Sequence, residues 1–373
     1  MFYHLILTDE CNLCCTYCRG KAFEALAGGE TDVAIDESLP PDFSCELGEL
    51  YRFLGRDPDP CVTFYGGEPL LRMDLIRKIM DTAPVQRFMI QTNGILLNQL
   101  GSEYVNRMES ILVSLDGPRE LTDSNRGKGT FDRVIRNTRE IIAGGYRGEL
   151  IARMTVTEGT DIRDAVRYLA SNDQHSYDSI HWQIDADFSG DSSMRKRFSR
   201  WLTEHYIPGI RGLIADWVGI METEGRVPRW YPFLQTTIDL LQDRPSRLRC
   251  GCGYANYTIM TDGHIAPCPV MIGMRDSYVG HIRTADPRNL PVVEVTGSCR
   301  RCDISGFCGG RCLYADITRP WPPEEKAAIC ESVRDLRDGL TSVLPEICRL
   351  LGSGQIRMED FSHTRYNGCE IIP

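Results

Sequence analysis

Short runs of β-branched and aromatic residues alternate with helix-period segments through the first half of the chain. Six runs read as strands: Phe2–Thr8, Cys61–Tyr65, Arg87–Thr92, Ile111–Leu115, Leu150–Val156 and Ile180–Ile184. Between them, apolar positions recur at helical spacing over Glu46–Leu54, Met73–Ala83, Leu97–Met108, Phe131–Ala143 and Ile162–Ser171. A helix-length crossover between successive strands predicts a parallel sheet, wound as an α/β layer or a partial barrel. Chemistry in such folds gathers at the carboxyl ends of the strands, and the polar and glycine motifs of this chain follow its strands.

From about Ser192 to Gln242 the pattern is helical, with Trp201, Leu202, Ile214 and Trp217 at apolar intervals. Pro208, Pro228, Pro232 and Pro245 are expected to break this stretch into pieces. Between Cys250 and Cys330 the composition shifts to cysteine, glycine and short turns, a pattern expected of a small domain stapled by metal ligands. The tail after Cys348 carries little pattern. The expected organisation is therefore 1–191, 192–249, 250–345 and 346–373. There is no repeat, low-complexity tract, Gly-x-Gly-x-x-Gly or Walker loop.

Composition narrows the class. A chain of 373 residues suggests about two domains, and 42% hydrophobic with 25% charged residues is ordinary for a globular enzyme. The formal charge of −10 argues against nucleic acid, whose phosphates need a concentrated basic face. No run approaches the ~18 apolar residues of a membrane span. Met1-Phe2-Tyr3-His4 lacks the charged start of a signal peptide, so a cytoplasmic chain is expected. Thiols stay reduced there, so the 16 cysteines are expected to be ligands rather than disulfides.

The first strand runs into Cys11-Asn12-Leu13-Cys14-Cys15-Thr16-Tyr17-Cys18, where Cys11, Cys15 and Cys18 stand at C-x3-C-x2-C spacing. Three thiolates on a tight loop can hold three irons of a [4Fe–4S] cube and leave the fourth open, whereas a fully ligated cluster takes four. Spacing alone also fits a zinc loop or simply buried cysteines. Strand two ends in Tyr65-Gly66-Gly67-Glu68-Pro69, whose glycines would let a ligand approach the backbone. Strand three ends in Gln91-Thr92-Asn93-Gly94 and strand four in Ser114-Leu115-Asp116-Gly117-Pro118, with Asn125-Arg126 soon after. An arginine beside a serine suits a carboxylate, which guanidinium binds bidentately.

Together, and in this order over about residues 2–190, these motifs resemble the radical S-adenosylmethionine enzymes. The resemblance implies a partial (β/α)6 barrel in which Cys11, Cys15 and Cys18 hold a [4Fe–4S] cluster. Its open iron would chelate the amino and carboxylate groups of S-adenosylmethionine. By the same resemblance Gly66, Gly67 and Glu68 would meet the methionyl ammonium, and Ser114 and Arg126 the carboxylate. Asn93 and the aromatic Tyr17 would complete the cofactor contacts, Tyr17 on the adenine side.

A second set of cysteines reads Cys250-x-Cys252, Gly263-x4-Cys268, Cys299-x2-Cys302-x5-Cys308-x3-Cys312 and, after 17 intervening residues, Cys330. Eight cysteines suffice for two tetrathiolate sites, and Cys299–Cys312 alone also reads as a zinc ribbon. Behind a radical domain, the string resembles the SPASM extension of peptide- and protein-modifying members. That resemblance implies two auxiliary [4Fe–4S] clusters, making three in all. Cys252, Cys268 and Cys312, with Cys250 as fourth ligand, would hold one; Cys299, Cys302, Cys308 and Cys330 would hold the other. The tight Cys250-Gly251-Cys252 spacing departs from the family pattern, and without Cys250 the first auxiliary cluster would keep an open iron. Cys14, Cys45, Cys61, Cys348 and Cys369 remain, and read as small apolar residues.

The resemblance implies reductive cleavage of S-adenosylmethionine to a 5′-deoxyadenosyl radical, which takes hydrogen from a residue of a ribosomal peptide or protein. The outcome would be an oxidative crosslink, thioether or dehydrogenation, under anaerobic conditions and with a low-potential donor such as a ferredoxin or flavodoxin. Formylglycine formation, as in sulfatase maturases, is an alternative, but Pro269 follows Cys268 where those relatives carry an acid. Asp185, Asp187 and Asp262 are the substitute base candidates. A radical dehydrogenase of a small molecule is a further alternative, against which the full cysteine complement counts, and a non-catalytic iron–sulfur or zinc scaffold is another. With ten residues before Cys11 and 43 after Cys330, no winged-helix peptide-recognition domain is expected. The substrate is expected either to be gripped by the barrel and bridging helices or to be delivered by a separate recognition protein.

Overall fold

The computed structural model describes residues 1–18, 33–185, 192–370 and 372. Its strands are β1 (Phe2–Ile6), β2 (Cys61–Tyr65), β3 (Arg87–Thr92), β4 (Met108–Ser114), β5 (Glu149–Val156), β6 (Ser179–Ile184), β7 (Arg229–Trp230), β8 (Asn256–Ile259), β9 (His264–Ala266) and β10 (Gly280–His281). In the first half, the helices are α1 (Leu47–Leu54), α2 (Met73–Thr82), α3 (Ser102–Val105), α4 (Arg119–Arg126), α5 (Thr130–Ala143) and α6 (Ile162–Ser171). They are followed by α7 (Ser192–Trp201), α8 (Ile207–Glu224), α9 (Tyr231–Leu241), α10 (Gly297–Arg300), α11 (Ser305–Cys308), α12 (Leu313–Thr318) and α13 (Pro323–Gly352). All six strands read from the sequence are present.

The chain forms two compact units: one of 1–115, 119–151 and 251–294, the other of 116–118, 152–250 and 295–373. The cysteine-rich stretch that the sequence sets apart is thus divided between them, and α13 runs straight through the boundary expected at 345.

In the first unit the strand order is β10-β9-β8-β1-β2-β3-β4. β1–β4 pair in parallel, β8 pairs parallel to β1, and the β8–β9–β10 pairings are antiparallel. The parallel strands are buried along most of their length, including Tyr3, Leu5, Ile6, Val62, Phe64, Met89, Ile90, Ile111 and Val113. Such continuous apolar runs suit strands covered on both faces. The registers Leu5↔Phe64, Phe64↔Ile90, Ile90↔Ile111 and Leu5↔Ile259 bring the carboxyl ends of β1, β2, β3, β4 and β8 to one end of the sheet. From that end leave the loops bearing Cys11–Cys18, Gly66–Glu68, Asn93 and Asp262, beside Ser114.

The helix expected over Leu97–Met108 is instead a 3₁₀ turn, Leu97–Gln99, followed by the short α3. Gly101 divides them at φ 95°, a conformation natural to glycine, and Met108 already opens β4.

The second unit holds β6 and β7 in parallel, with an aromatic core around Phe233. Its ring packs edge-on to Trp182 at 5.2 Å and to Trp217 at 5.4 Å, and Trp217 also meets Phe361. Pro208 does not break the helix. A π turn, Leu202–Tyr206, closed by Ile207 N–H to the Leu202 carbonyl, shifts the bonding register. The ring then falls in the first turn of α8, where no N–H is needed. The tail is better packed than its sequence suggests, with Ile356, Phe361, Asn367, Cys369 and Ile372 buried. His363 and Glu370 form a pair 2.9 Å apart, both side chains enclosed. Among the described residues no helix is long and apolar enough to cross a membrane.

Candidate functional site

The turn after β2 is pressed against the extension of β1. A Cβ on Gly66, at φ +140°, would stand 2.3 Å from the Thr8 carbonyl oxygen, and one on Gly67 would stand 2.2 Å from that of Glu10. That approach lets the N–H groups of Gly67 and Glu68 donate to Thr8 and Glu10 carbonyls, both at 2.8 Å. The demand for glycine therefore comes from the chain itself, which pins the run-in to Cys11. Among the described residues no backbone N–H donates to the Gly66 or Gly67 carbonyl, so both suit an ammonium group.

Glu68 is wholly buried. Its carboxylate accepts from Asn93 N–H at 2.7 Å, Leu70 N–H at 3.0 Å and the Thr92 hydroxyl at 2.8 Å. Burial pushes its pKa up to about 7, although these three donors pull it down. The Asn93 side chain continues the network toward the cysteine loop: its Nδ2 donates to Asn12 Oδ1 at 2.7 Å and lies 3.8 Å from Cys11 Sγ. Leu13 N–H also reaches Cys11 Sγ at 3.5 Å. Burial raises the Cys11 thiol, and the two N–H donors oppose that rise.

Cys11, Cys14 and Cys18 are exposed and Cys15 is half-buried. The loop is tied to the end of α4, where Thr16 N–H donates to the Asn125 carbonyl at 2.8 Å. The buried Arg126 guanidinium lies 5.3 Å from the centre of the Tyr17 ring. Asp123 braces the next turn, accepting from Gly129 and Phe131 N–H at 2.8 and 2.9 Å. The structure thus joins Cys11 with Asn93, and Tyr17 with Arg126, at the strand ends where Ser114 also sits half-buried. Of the base candidates, Asp262 is paired with His264, through Nδ1 at 2.6 Å and the backbone N–H at 3.0 Å. Asp185 follows β6 in the second unit, and Asp187 lies outside the described residues.

The other cysteines fall into two places. In the first unit Cys252 and Cys268 are buried, and Gly253 N–H donates to the Pro267 carbonyl at 3.1 Å between them. In the second, Cys299, Cys302, Cys308, Cys312 and Cys330 line one pocket with Arg311, Asp316, Trp321 and Lys326. Cys250, also buried, follows Arg249, whose enclosed guanidinium pairs with Asp239 at 2.7 Å and donates twice to the Phe307 carbonyl. Arg334 pairs with Asp303, and its Nη2 lies 3.9 Å from Cys302 Sγ. Among the described residues no three His, Cys, Asp or Glu side chains converge on one metal-ion position. A cubane needs no such convergence, because each thiolate binds a different iron. A pocket walled by sulfur donors with cations around it fits a net-negative iron–sulfur group. Arg249, Asp239 and Arg334 have no signal in the sequence, since long-range packing brings them to these places, whereas Asn12 and Arg311 lie within the cysteine motifs, whose spacing does not single them out.

Residues 5–170 match the model of the Radical SAM superfamily, and the chain carries a radical SAM domain there. A probable GTP 3′,8-cyclase of Methanosarcina mazei is 30% identical over 144 residues, 37% of this chain and 41% of that protein. The match therefore spans about two fifths of that relative's length. Among solved structures, anSMEcpe with bound AdoMet superposes with a TM-score of 0.70 at 18% identity, over 96% of this chain and 100% of that one. It has also been solved with AdoMet and a Cp18Cys peptide. Streptococcus suis SuiB bound to precursor peptide SuiA gives a TM-score of 0.51 at 17% identity, over 83% and 71% of the two chains. At such identities the likeness is one of fold: a parallel-sheet α/β partial radical SAM barrel with a cysteine-rich C-terminal region.

Proposed function

We propose that the chain is a radical S-adenosylmethionine oxidoreductase that modifies a residue of a ribosomal peptide or protein. One observation carries the reading: Cys299, Cys302, Cys308 and Cys330 line a single pocket, in addition to the Cys11–Cys18 loop of the radical SAM domain. The peptide-bound structures of anSMEcpe and SuiB, which share the fold, support a peptide substrate.

Cys11, Cys15 and Cys18 would hold the first cluster, which with S-adenosylmethionine bound supplies a 5′-deoxyadenosyl radical for hydrogen abstraction. The Gly66 and Gly67 carbonyls would receive the methionyl ammonium. Glu68, enclosed among its three donors, would act by fixing that turn against Asn93. Arg126, held over Tyr17, would pair with the carboxylate beside Ser114. By the SPASM resemblance, Cys312 would join Cys250, Cys252 and Cys268 in the other auxiliary set. A ferredoxin- or flavodoxin-like donor would supply the electrons. Formylglycine chemistry is disfavoured, because Pro269 opens a 3₁₀ turn directly after Cys268 and places no acid there.

The test is mass spectrometry of short peptides encoded beside the gene and co-expressed with it: loss of two hydrogens or a new crosslink supports the reading. A small-molecule substrate is the second reading, favoured by the domain's similarity to a probable GTP 3′,8-cyclase. Turnover of a nucleotide with every peptide unchanged would establish it.

A further inference from the structure

The turn between Cys308 and Cys312 has three successive residues in the left-handed region: Gly309 at φ 68°, Gly310 at 93° and Arg311 at 50°. The first two must be glycine. A Cβ on Gly309 would stand 2.0 Å from the Arg247 carbonyl oxygen, and one on Gly310 would stand 2.6 Å from Val295 Cγ1. At the third position the chain keeps an arginine, at a backbone cost glycine would avoid.

The side chain explains its retention. Arg311 lines the cysteine pocket, with its guanidinium carbon 5.6 Å from the centre of the Trp321 ring. Its Nε is buried and has no hydrogen-bond partner among the described residues. The neighbouring cations differ. Lys326 Nζ donates to Ser298 Oγ at 3.0 Å, and Arg334 is paired with Asp303. A buried N–H without an acceptor is costly, so an acceptor is expected where this one sits. Sulfur atoms of a bound iron–sulfur group would supply it.

We infer that Arg311 sets the reduction potential of the iron–sulfur group held by Cys299, Cys302, Cys308 and Cys330. This rests on the reading that the pocket holds such a group. One-electron reduction adds one negative charge to the group, and a fixed cation in the pocket wall favours the reduced form. Arg311 is thus a tuning residue that raises the potential of this site and makes it an electron acceptor.

The test uses the full chain, reconstituted anaerobically and titrated with dithionite while the reduced clusters are followed by electron paramagnetic resonance. Cys299→Ala should lower the iron and sulfide content; unchanged content would overturn the cluster reading itself. With that reading intact, Arg311→Gln should lower the midpoint of one site about tenfold in its reduction equilibrium, or about 59 mV, leaving the other sites as internal references. A Gln variant with wild-type iron and an unmoved midpoint would overturn the inference. Arg311→Lys keeps the charge and should keep both iron and midpoint, even where the Gln variant loses iron. A Lys variant whose midpoint falls by a similar tenfold would refute the role of charge.

Discussion

The backbone N–H of Asn93 donates to the buried carboxylate of Glu68 at 2.7 Å, locking the turn after β2 to the end of β3. From there the Asn93 side chain reaches Asn12 and Cys11, so one residue links the glycine turn to the cysteine loop.

Glu68 gives the fold a pH dependence. Its pKa rises from 4.5 to about 7, so between those values the native state holds a proton that the unfolded chain has released. Its contribution is therefore intact below the lower value and lost as pH rises through the upper one. The shift corresponds to roughly 3 kcal/mol. Thermal melts at about pH 5 and pH 8 should differ less in Glu68→Gln than in the wild type. An equal difference would place the titration elsewhere.

Asn93→Ala removes the contacts to Asn12 and Cys11 while leaving the second unit's pocket untouched. Iron analysis should show loss confined to the first site. Equal loss from a variant that already lacks Cys11, Cys15 and Cys18 would contradict the linkage.

Gly67→Ala forces a Cβ into the Asp9–Glu10 backbone and should destabilise by about 1–3 kcal/mol while displacing the run-in to Cys11. Gly48→Ala, on α1 with nothing within 4 Å of the added carbon, is the control and should be close to neutral. Denaturant unfolding of the two variants checks this.

Arg249 and Asp239 form an enclosed ion pair beside Cys250. Removing one partner, as in Arg249→Met, should cost about 3–5 kcal/mol in urea unfolding. Adding Asp239→Leu should recover part of that loss, because the stranded charge disappears. A double variant no better than the single one would show that the hydrogen bonds to the Phe307 carbonyl carry the stability.

The six barrel strands were legible because Val62, Phe64, Ile90 and their neighbours form runs dense in strand-forming residues. The cysteine spacings were legible because spacing within a loop is a local property of the chain. α4 was not, since its buried face is Thr122, Asn125 and Arg126, polar residues that leave no apolar periodicity. β8 was missed inside the cysteine-rich stretch: its Asn-Tyr-Thr-Ile run becomes a strand by pairing with β1, more than 240 residues away in sequence. Gly101 did signal the break after Gln99, and the helical period around it hid that signal. Glu68 was read as a ligand contact; its burial and its three donors, which tie the turn to Asn93, are revealed only by the folded chain. The pairing of Asp239 with Arg249 depends on packing alone and has no motif.

On the proposed reading, radical S-adenosylmethionine chemistry depends on the Cys11–Cys15–Cys18 loop. The reduced, iron-loaded protein is mixed with S-adenosylmethionine and 5′-deoxyadenosine is quantified. The wild type should form it, and Cys15→Ala should not, while keeping the iron held by the other cysteines. A fully iron-loaded wild type that forms none, or a Cys15→Ala protein that forms as much, would contradict the account.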